Sequence, residues 1–256
     1  MRLLVSVASP AEASAALAGG ADVIDAKDPL AGALGAVAID VLREIHAAVA
    51  SRRPVTAALG DARDEAAIER AAHEFAAAGA AFVKVGFAGI VDAGRVAALT
   101  AAAVRGVKAG SDGNGGVVAV AYADADRAAS LAPAALVEVA ARAGAKGVLL
   151  DTADKDGPGL RGLVAPGALA AWVAGAHQTG LLVALAGKLT ADDLPFVRDA
   201  GADIAGVRGA ACVGGRTGRV SADRVLLLRR VVHEGASGRH EAHEDARKPI
   251  SLRVPL

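Results

Sequence analysis

The chain has 256 residues, of which 54% are hydrophobic and 22% charged, ample for a sizeable core. Basic and acidic side chains balance at 28 each, and aromatic residues make up only 2%, which excludes a basic field for nucleic acid and stacking platforms for single strands. The single cysteine, Cys212, excludes an internal disulfide framework and fits a reducing, cytoplasmic compartment. The opening stretch from Met1 to Val7 is too short for a secretory h-region with its cleavage site. No run of about 18 apolar residues free of charges and breakers reads as a membrane span.

Along the chain, short β-branched runs alternate with alanine-rich amphipathic runs, and eight such pairs can be counted. Strands are predicted over 3–7, 23–27, 55–59, 82–86, 117–121, 147–151, 181–185 and 204–207. Helices are predicted over 10–17, 39–50, 64–78, 92–108, 133–143, 167–178, 191–200 and 222–233. Gly19, Gly79, Gly144, Gly180 and Gly201 stand where a helix can stop in the left-handed conformation. Four of them belong to a repeated phrase, seen as Ala18-Gly19-Gly20-Ala21-Asp22 and again as Ala200-Gly201-Ala202-Asp203, in which the stop runs straight into a buried strand. Ser9-Pro10, Thr190 and Ser221 supply N-cap chemistry.

Strict alternation with right-handed crossovers leaves an open doubly wound sheet or a closed barrel. The open sheet normally carries a glycine-rich phosphate loop after its first strand. Here that place holds Ala8-Ser9-Pro10-Ala11-Glu12, with no glycine. The expected fold is α/β, a single-domain (β/α)8 TIM barrel over residues 1–235, close to the roughly 250 residues usual for that fold. Residues 236–256 are expected to form a polar, mobile C-terminal tail. His233, His240 and His243 lie toward that tail, and a solvated tail is preferred to a metal site there.

In such a barrel the reacting groups sit at the C-terminal ends of the strands. Val23-Ile24-Asp25-Ala26-Lys27-Asp28-Pro29 reads as a buried strand whose alternate residues share a face. Asp25 and Lys27 then point inward beside Val23, while Ile24 and Ala26 face the helices. An acid and an amine on a buried face are costly unless paired or used. The same pattern recurs with Lys84 in Phe82-Val83-Lys84-Val85-Gly86 and with Asp151 and Lys155 in Asp151-Thr152-Ala153-Asp154-Lys155. Asp61, Tyr122, Asp124 and Arg208 also fall at strand ends. No histidine does, which speaks against His-based acid–base chemistry and a His-rich metal centre. What remains is amine and carboxylate chemistry. Lys27 and Lys84 lie on strands two apart and are expected in one layer. Two ammonium groups repel, which favours loss of a proton and Schiff-base chemistry, while Asp25 pushes the other way. The structural alternative is that Lys84 and Asp151 merely neutralise each other.

Strands 7 and 8 end in small residues, Ala186-Gly187 and Arg208-Gly209-Ala210. Barrels often bind phosphate at this place through backbone N–H groups. Gly187, Arg208, Gly209 and Ala210 are therefore the expected phosphate ligands, with Arg208 supplying charge; tight turns are the alternative. Gly157-Pro158-Gly159-Leu160-Arg161-Gly162 matches a dinucleotide fingerprint in form only, since it follows strand 6 and contains proline. Cys212 has no partner histidine at a strand end and reads as a structural thiol.

Taken together, several motifs resemble the (5-formylfuran-3-yl)methyl phosphate synthase family from about Leu3 to Arg230. They are Gly19-Gly20-Ala21-Asp22-Val23-Ile24-Asp25-Ala26-Lys27-Asp28-Pro29, Val83-Lys84-Val85-Gly86, Ala121-Tyr122-Ala123-Asp124, Leu150-Asp151-Thr152-Ala153-Asp154-Lys155 and Gly206-Val207-Arg208-Gly209-Ala210-Ala211-Cys212. The resemblance implies a TIM barrel using neither metal nor organic cofactor. It also implies a reaction that joins two molecules of glyceraldehyde 3-phosphate into a phosphorylated furan aldehyde, a precursor of methanofuran-type coenzymes. By the same resemblance Lys27 is the Schiff-base lysine and Lys84 the proton acceptor, with Asp151 and Lys155 in support. Two alternatives stay open: an aldolase-like enzyme acting on another phosphorylated aldehyde, and a non-catalytic phosphate-binding barrel. A homo-oligomer is compatible with the sequence and is not specified by it.

Overall fold

The structure, a computed structural model, describes residues 1–111 and 113–234, the last by its backbone only. The expected tail, with His240 and His243, lies outside the described residues. Eight parallel strands close into a barrel in sequence order: β1 (Arg2–Val7), β2 (Val23–Ala26), β3 (Val55–Asp61), β4 (Phe82–Gly86), β5 (Gly116–Tyr122), β6 (Gly147–Asp151), β7 (Leu182–Leu185) and β8 (Ile204–Val207). The major helices between them are α1 (Pro10–Ala18), α2 (Ile39–Val49), α3 (Glu65–Ala77), α4 (Ala93–Gly110), α6 (Pro133–Arg142), α8 (Pro166–Gln178) and α9 (Leu194–Asp199), with α10 (Ala222–Glu234) after β8. Short helices α5 (Ala125–Ala128) and α7 (Leu160–Leu163) follow β5 and β6, and a two-stranded ribbon, β9 (Cys212–Val213) with β10 (Arg219–Val220), follows β8. The expected (β/α)8 barrel is the fold. Among the described residues no helix is long and apolar enough to cross a membrane.

The period of two along each strand sorts the core into two clusters. Outward residues such as Val5, Ile24, Val83 and Val148 join the helices in the larger cluster. Inward residues such as Leu4, Val118, Leu182 and Ile204 fill the barrel's interior. Above that apolar plug the interior turns polar, with Ser6, Asp25, Thr56, Lys84 and Asp151 all buried. The plug shuts the N-terminal end and leaves the C-terminal mouth for chemistry.

The repeated helix-stop phrase has a structural reason. Asp22 and Asp203 accept the N–H of the neighbouring strand's Leu3 and Val183 through their Oδ2 atoms, at 2.9 and 2.8 Å. One glycine departs from expectation. Helix α1 runs one residue past its predicted end, so Gly19 keeps a right-handed φ of −75° and Gly20 takes the left-handed place at +84°.

Helices α3 and α4 meet backbone to backbone. A Cβ at Gly106 would lie 2.1 Å from the Glu69 carbonyl, and one at Gly110 2.3 Å from the His73 carbonyl. Gly106→Ala is therefore expected to destabilise by about 1–3 kcal/mol through overpacking, although alanine is the better helix former by about 1 kcal/mol. A thermal melt that rises on this substitution would show that the two helices separate at little cost.

Candidate active site

The register places the polar groups in layers. Asp25 is level with Thr56 and through it with Phe82; Lys84 is level with Val118 and through it with Gly147. A barrel of this shear rises by about two residues over two strands. Asp25, Lys84 and Leu149 thus share one inward layer, and Lys27, Gly86 and Asp151 the next one toward the mouth. Lys27 and Lys84 stand in successive layers, not in the single layer expected.

The ion pairs follow these layers. Lys84 Nζ is 2.5 Å from Asp25 Oδ2. Asp25 is fully buried and also accepts from Ser6 Oγ at 2.8 Å and Thr56 Oγ1 at 2.7 Å. That carboxylate is saturated behind the cavity wall, so it holds Lys84 in place. In the upper layer Lys27 Nζ stands 4.0 Å from Asp151 Oδ2, while Lys155 donates to Asp151 Oδ1 at 2.8 Å and to the Thr152 carbonyl at 2.6 Å. The partner of Lys84 is thus Asp25, and the alternative in which Lys84 neutralises Asp151 does not describe the structure.

Burial pushes the Lys27 ammonium down from 10.5 to about 8; Asp151 opposes the fall, and Lys84 and Lys155 reinforce it. Burial alone would raise the Asp151 carboxyl, yet Lys155 and Lys27 outweigh it and, with the Thr152 N–H, hold it below the usual carboxylate range. The result is an amine that sheds its proton readily next to a carboxylate that stays charged.

Loops from several strands hold this set. After β5, Asp124 accepts the N–H groups of Ala153 and Asp154 at 2.7 and 2.9 Å, fixing the loop that carries Lys155. A bulge between Ala58 and Asp61 turns Asp61 toward the barrel top, where it accepts from Tyr122 Oη at 2.7 Å and from the Ala88 N–H at 2.8 Å. Gly86 leaves the room for this contact, since a Cβ there would lie 2.4 Å from Asp61 Oδ1 and 2.5 Å from the Tyr122 oxygen. Burial, with Asp61 alongside, pushes the Tyr122 hydroxyl far up, so it stays a donor.

A cavity of about 320 Å³ opens at the mouth, within the size range of small-molecule sites. Lys27, Lys84, Asp151 and Lys155 line one part of it; Gly187, Arg208, Gly209 and Ala210 line another. Asp25 is absent from its wall. Lys188 and Arg216 complete the rim, and sequence reasoning missed both. The signal for Arg216 was the glycine-dense stretch Gly214-Gly215-Arg216-Thr217-Gly218 after strand 8. Lys188 adopts a left-handed φ of +56°, unusual for a side chain of its length, directly after Gly187 at +106°. The backbone N–H groups of Gly187, Gly209 and Ala210 make no loop or turn hydrogen bond to a backbone carbonyl among the described residues.

Arg208 departs from its expected part. Its guanidinium has five N–H donors, and all five are taken. Nη1 and Nη2 grip Glu12 at 2.5 and 3.1 Å, and the remaining three bonds go to the carbonyls of Ser6, Arg216 and Gly218 at 2.9 to 3.0 Å. Glu12 neutralises the charge. Arg208 is a clip that ties the loop between β9 and β10 to β1 and α1, and no N–H of its guanidinium is left for an anion. A strand-end arginine on the sequence could not disclose that Glu12, in the first turn of α1, waits beside it.

The cavity as a whole is cationic. Lys27, Lys84, Lys155, Lys188, Arg208 and Arg216 outnumber the carboxylates that partner them, Asp25, Asp151 and Glu12. Among the described residues no three His, Cys, Asp or Glu side chains converge as a metal centre requires. The Lys27 amine, its affinity for a proton lowered by burial, thus lines a cavity whose side chains carry an excess of positive charge.

Comparison with known proteins identifies the family. The profile of the family described as 4-HFC-P synthase matches residues 3–229. A (5-formylfuran-3-yl)methyl phosphate synthase of Methanopyrus kandleri is 42% identical over 232 residues, 90% of this chain and 97% of that protein. The protein of the same name from Methanocaldococcus jannaschii is 40% identical over 228 residues, 89% of this chain and 97% of its own. Among solved structures, a 3-hexulose-6-phosphate synthase superposes with a TM-score of 0.59 at 23% identity, over 91% of this chain and 100% of that one, a likeness of fold alone. With a family match that spans nearly the whole barrel, the chain belongs to the (5-formylfuran-3-yl)methyl phosphate synthase (4-HFC-P synthase) family.

Proposed function

We propose that the chain condenses two molecules of glyceraldehyde 3-phosphate into (5-formylfuran-3-yl)methyl phosphate through a Schiff base on Lys27, as a cytoplasmic step toward methanofuran-type coenzymes. The observation that carries this reading is Lys27, a buried amine brought down to about 8 beside Asp151 and Lys155 on the wall of a cationic cavity. Neutral Lys27 attacks the aldehyde carbon of the first triose phosphate, and loss of water gives an iminium. Lys155, donating to Asp151, delivers the proton that carries the hydroxyl away as water. Lys84 takes the proton from the carbon next to the iminium, which gives an enamine. Asp25 keeps the Lys84 amine aimed inward. The enamine expels phosphate from its own C3, and the C3 so activated adds to the carbonyl of the second triose phosphate in its isomeric ketone form. Closure of the ring by the second triose's C1 hydroxyl with loss of two waters, and hydrolysis of the imine, then yield the furan aldehyde and release Lys27. The atoms balance, since two triose phosphates less one phosphate and two waters make the furan aldehyde phosphate. The other phosphate stays on the product, held at Gly187, Gly209 and Ala210 with Arg208 in the wall behind them.

Incubation with glyceraldehyde 3-phosphate as the sole substrate tests the reading. A near-ultraviolet absorbance and the product's mass are expected to appear together. Borohydride added during turnover is expected to leave a stable adduct on the peptide containing Lys27. An adduct without furan absorbance would point to an aldolase-like enzyme on another aldehyde, and neither signal would leave only a phosphate-binding barrel.

A further inference from the structure

The expected cation at the phosphate end of the cavity is spent, because all five donors of Arg208 are committed and Glu12 cancels its charge. An anion lying against the N–H groups of Gly209 and Ala210 therefore takes its charge partner from elsewhere. We propose that Arg216, on the loop between β9 and β10, is the guanidinium that closes over the substrate phosphate, and that Arg208 is the clip that puts it there. The inference deepens the functional reading above and rests on its phosphate site.

Three observations carry it. First, Arg216 lines the cavity, and its backbone lies directly on the phosphate end: a Cβ on Gly209 would stand 3.6 Å from its N and 3.7 Å from its Cα. Second, its guanidinium is charged and half used. Nη1 donates to the Pro29 carbonyl and Nη2 to the Gly32 carbonyl at 2.6 Å. Neither acceptor carries a charge, and no carboxylate among the described residues pairs with it. Nε and one hydrogen on each terminal nitrogen remain for an anion, a planar fork suited to phosphate. Third, its position is fixed from both sides. Two of the five Arg208 bonds end on the carbonyls of Arg216 and Gly218. The turn itself is tight, because a Cβ at Gly218 would collide with the Val213 carbonyl at 1.9 Å. The side chain thus reaches from Gly209 across the mouth to the loop that begins one residue after Lys27. A phosphate at Gly209 and Ala210 lies under the same arm that borders the imine-forming strand end.

The test uses the intact protein and glycerol 3-phosphate, which carries the same phosphate but has no aldehyde, so binding is read apart from imine formation. Calorimetry on Arg216→Gln is expected to show affinity lowered about 10- to 100-fold, the scale of a lost charge-assisted pair. Arg216→Lys, which restores charge without the fork, is expected to recover part of it. The melting temperature should hold, since the side chain reaches over the mouth from a surface loop. Glycerol 3-phosphate affinity in Arg216→Gln within twofold of the parent protein overturns the inference, as does a loss that Arg216→Lys does not begin to restore. The condensation assay on the parent protein is independent of this: absence of furan product there counts against the proposed reaction, while the binding result still decides Arg216.

Discussion

Lys27→Met is expected to abolish turnover and to stabilise the fold. Loss of a covalent nucleophile costs on the order of 10⁴–10⁶ in rate, and borohydride should then trap nothing on this peptide. The stability change follows from the same burial. Folding lowers the Lys27 ammonium from 10.5 to about 8, so the folded protein resists a proton that the unfolded chain accepts. Below pH 8 both states carry it, and the cost to stability is on the order of 3 kcal/mol. Between pH 8 and 10.5 the unfolded chain binds more protons, so stability rises with pH, and above that window the cost has gone. Methionine removes the charge and keeps the volume. Asp151 is not orphaned, because Lys155 stays at 2.8 Å, although losing one of two partners makes 3 kcal/mol an upper bound. Turnover of the parent protein should climb between pH 7 and 9 as the neutral amine forms. Denaturant melts at pH 7 and at pH 10, with kcat for both proteins, decide the matter. A variant that melts lower at pH 7 and still turns over would make Lys27 half of a structural ion pair.

The barrel was legible because most strands repeat outward β-branched residues and several helices run into a left-handed glycine, as at Gly79, Gly144, Gly180 and Gly201. Ile24 beside Asp25, or Val83 beside Lys84, announces which face is which. The elements that escaped are those too short to show a period: α5, α7 and the β9–β10 ribbon. The five expected catalytic residues could be drawn from strand ends, and four of them line one cavity. Their pairing could not, because a strand's own sequence carries no record of the stagger between strands. Counting from strand ends put Lys27 in one layer with Lys84, whereas the stagger of the strands puts Asp25 there. Arg208 shows a second limit. Its partner Glu12 is 196 residues away in sequence, and only closure of the barrel between β8 and β1 brings them together.

Lys84→Arg is expected to lower turnover by about 10²–10⁴, the usual worth of a general base, with phosphate affinity largely kept. A base must be neutral for part of its cycle, which lysine can manage and arginine cannot. The competing role is visible in the structure, since Lys84 and Asp25 form a buried pair 2.5 Å apart. Deleting one partner of such a pair costs about 3–5 kcal/mol. Lys84→Met alone would therefore lose activity through misfolding as readily as through chemistry, with Asp25 left to Ser6 and Thr56 alone. The double variant Lys84→Met with Asp25→Asn separates the two roles. Both charges go together, and neutral replacement of a buried pair is often without cost or even stabilising. Its melting temperature is expected near that of the parent protein. Glycerol 3-phosphate should still bind, and Lys27 should still trap as an imine, because that step precedes proton removal. Turnover should stay absent. If Lys84 serves only to neutralise Asp25, the double variant recovers turnover along with its fold. Near-parental kcat in Lys84→Arg would likewise remove Lys84 from the mechanism and leave Lys155, already bonded to Asp151, as the group that takes the proton.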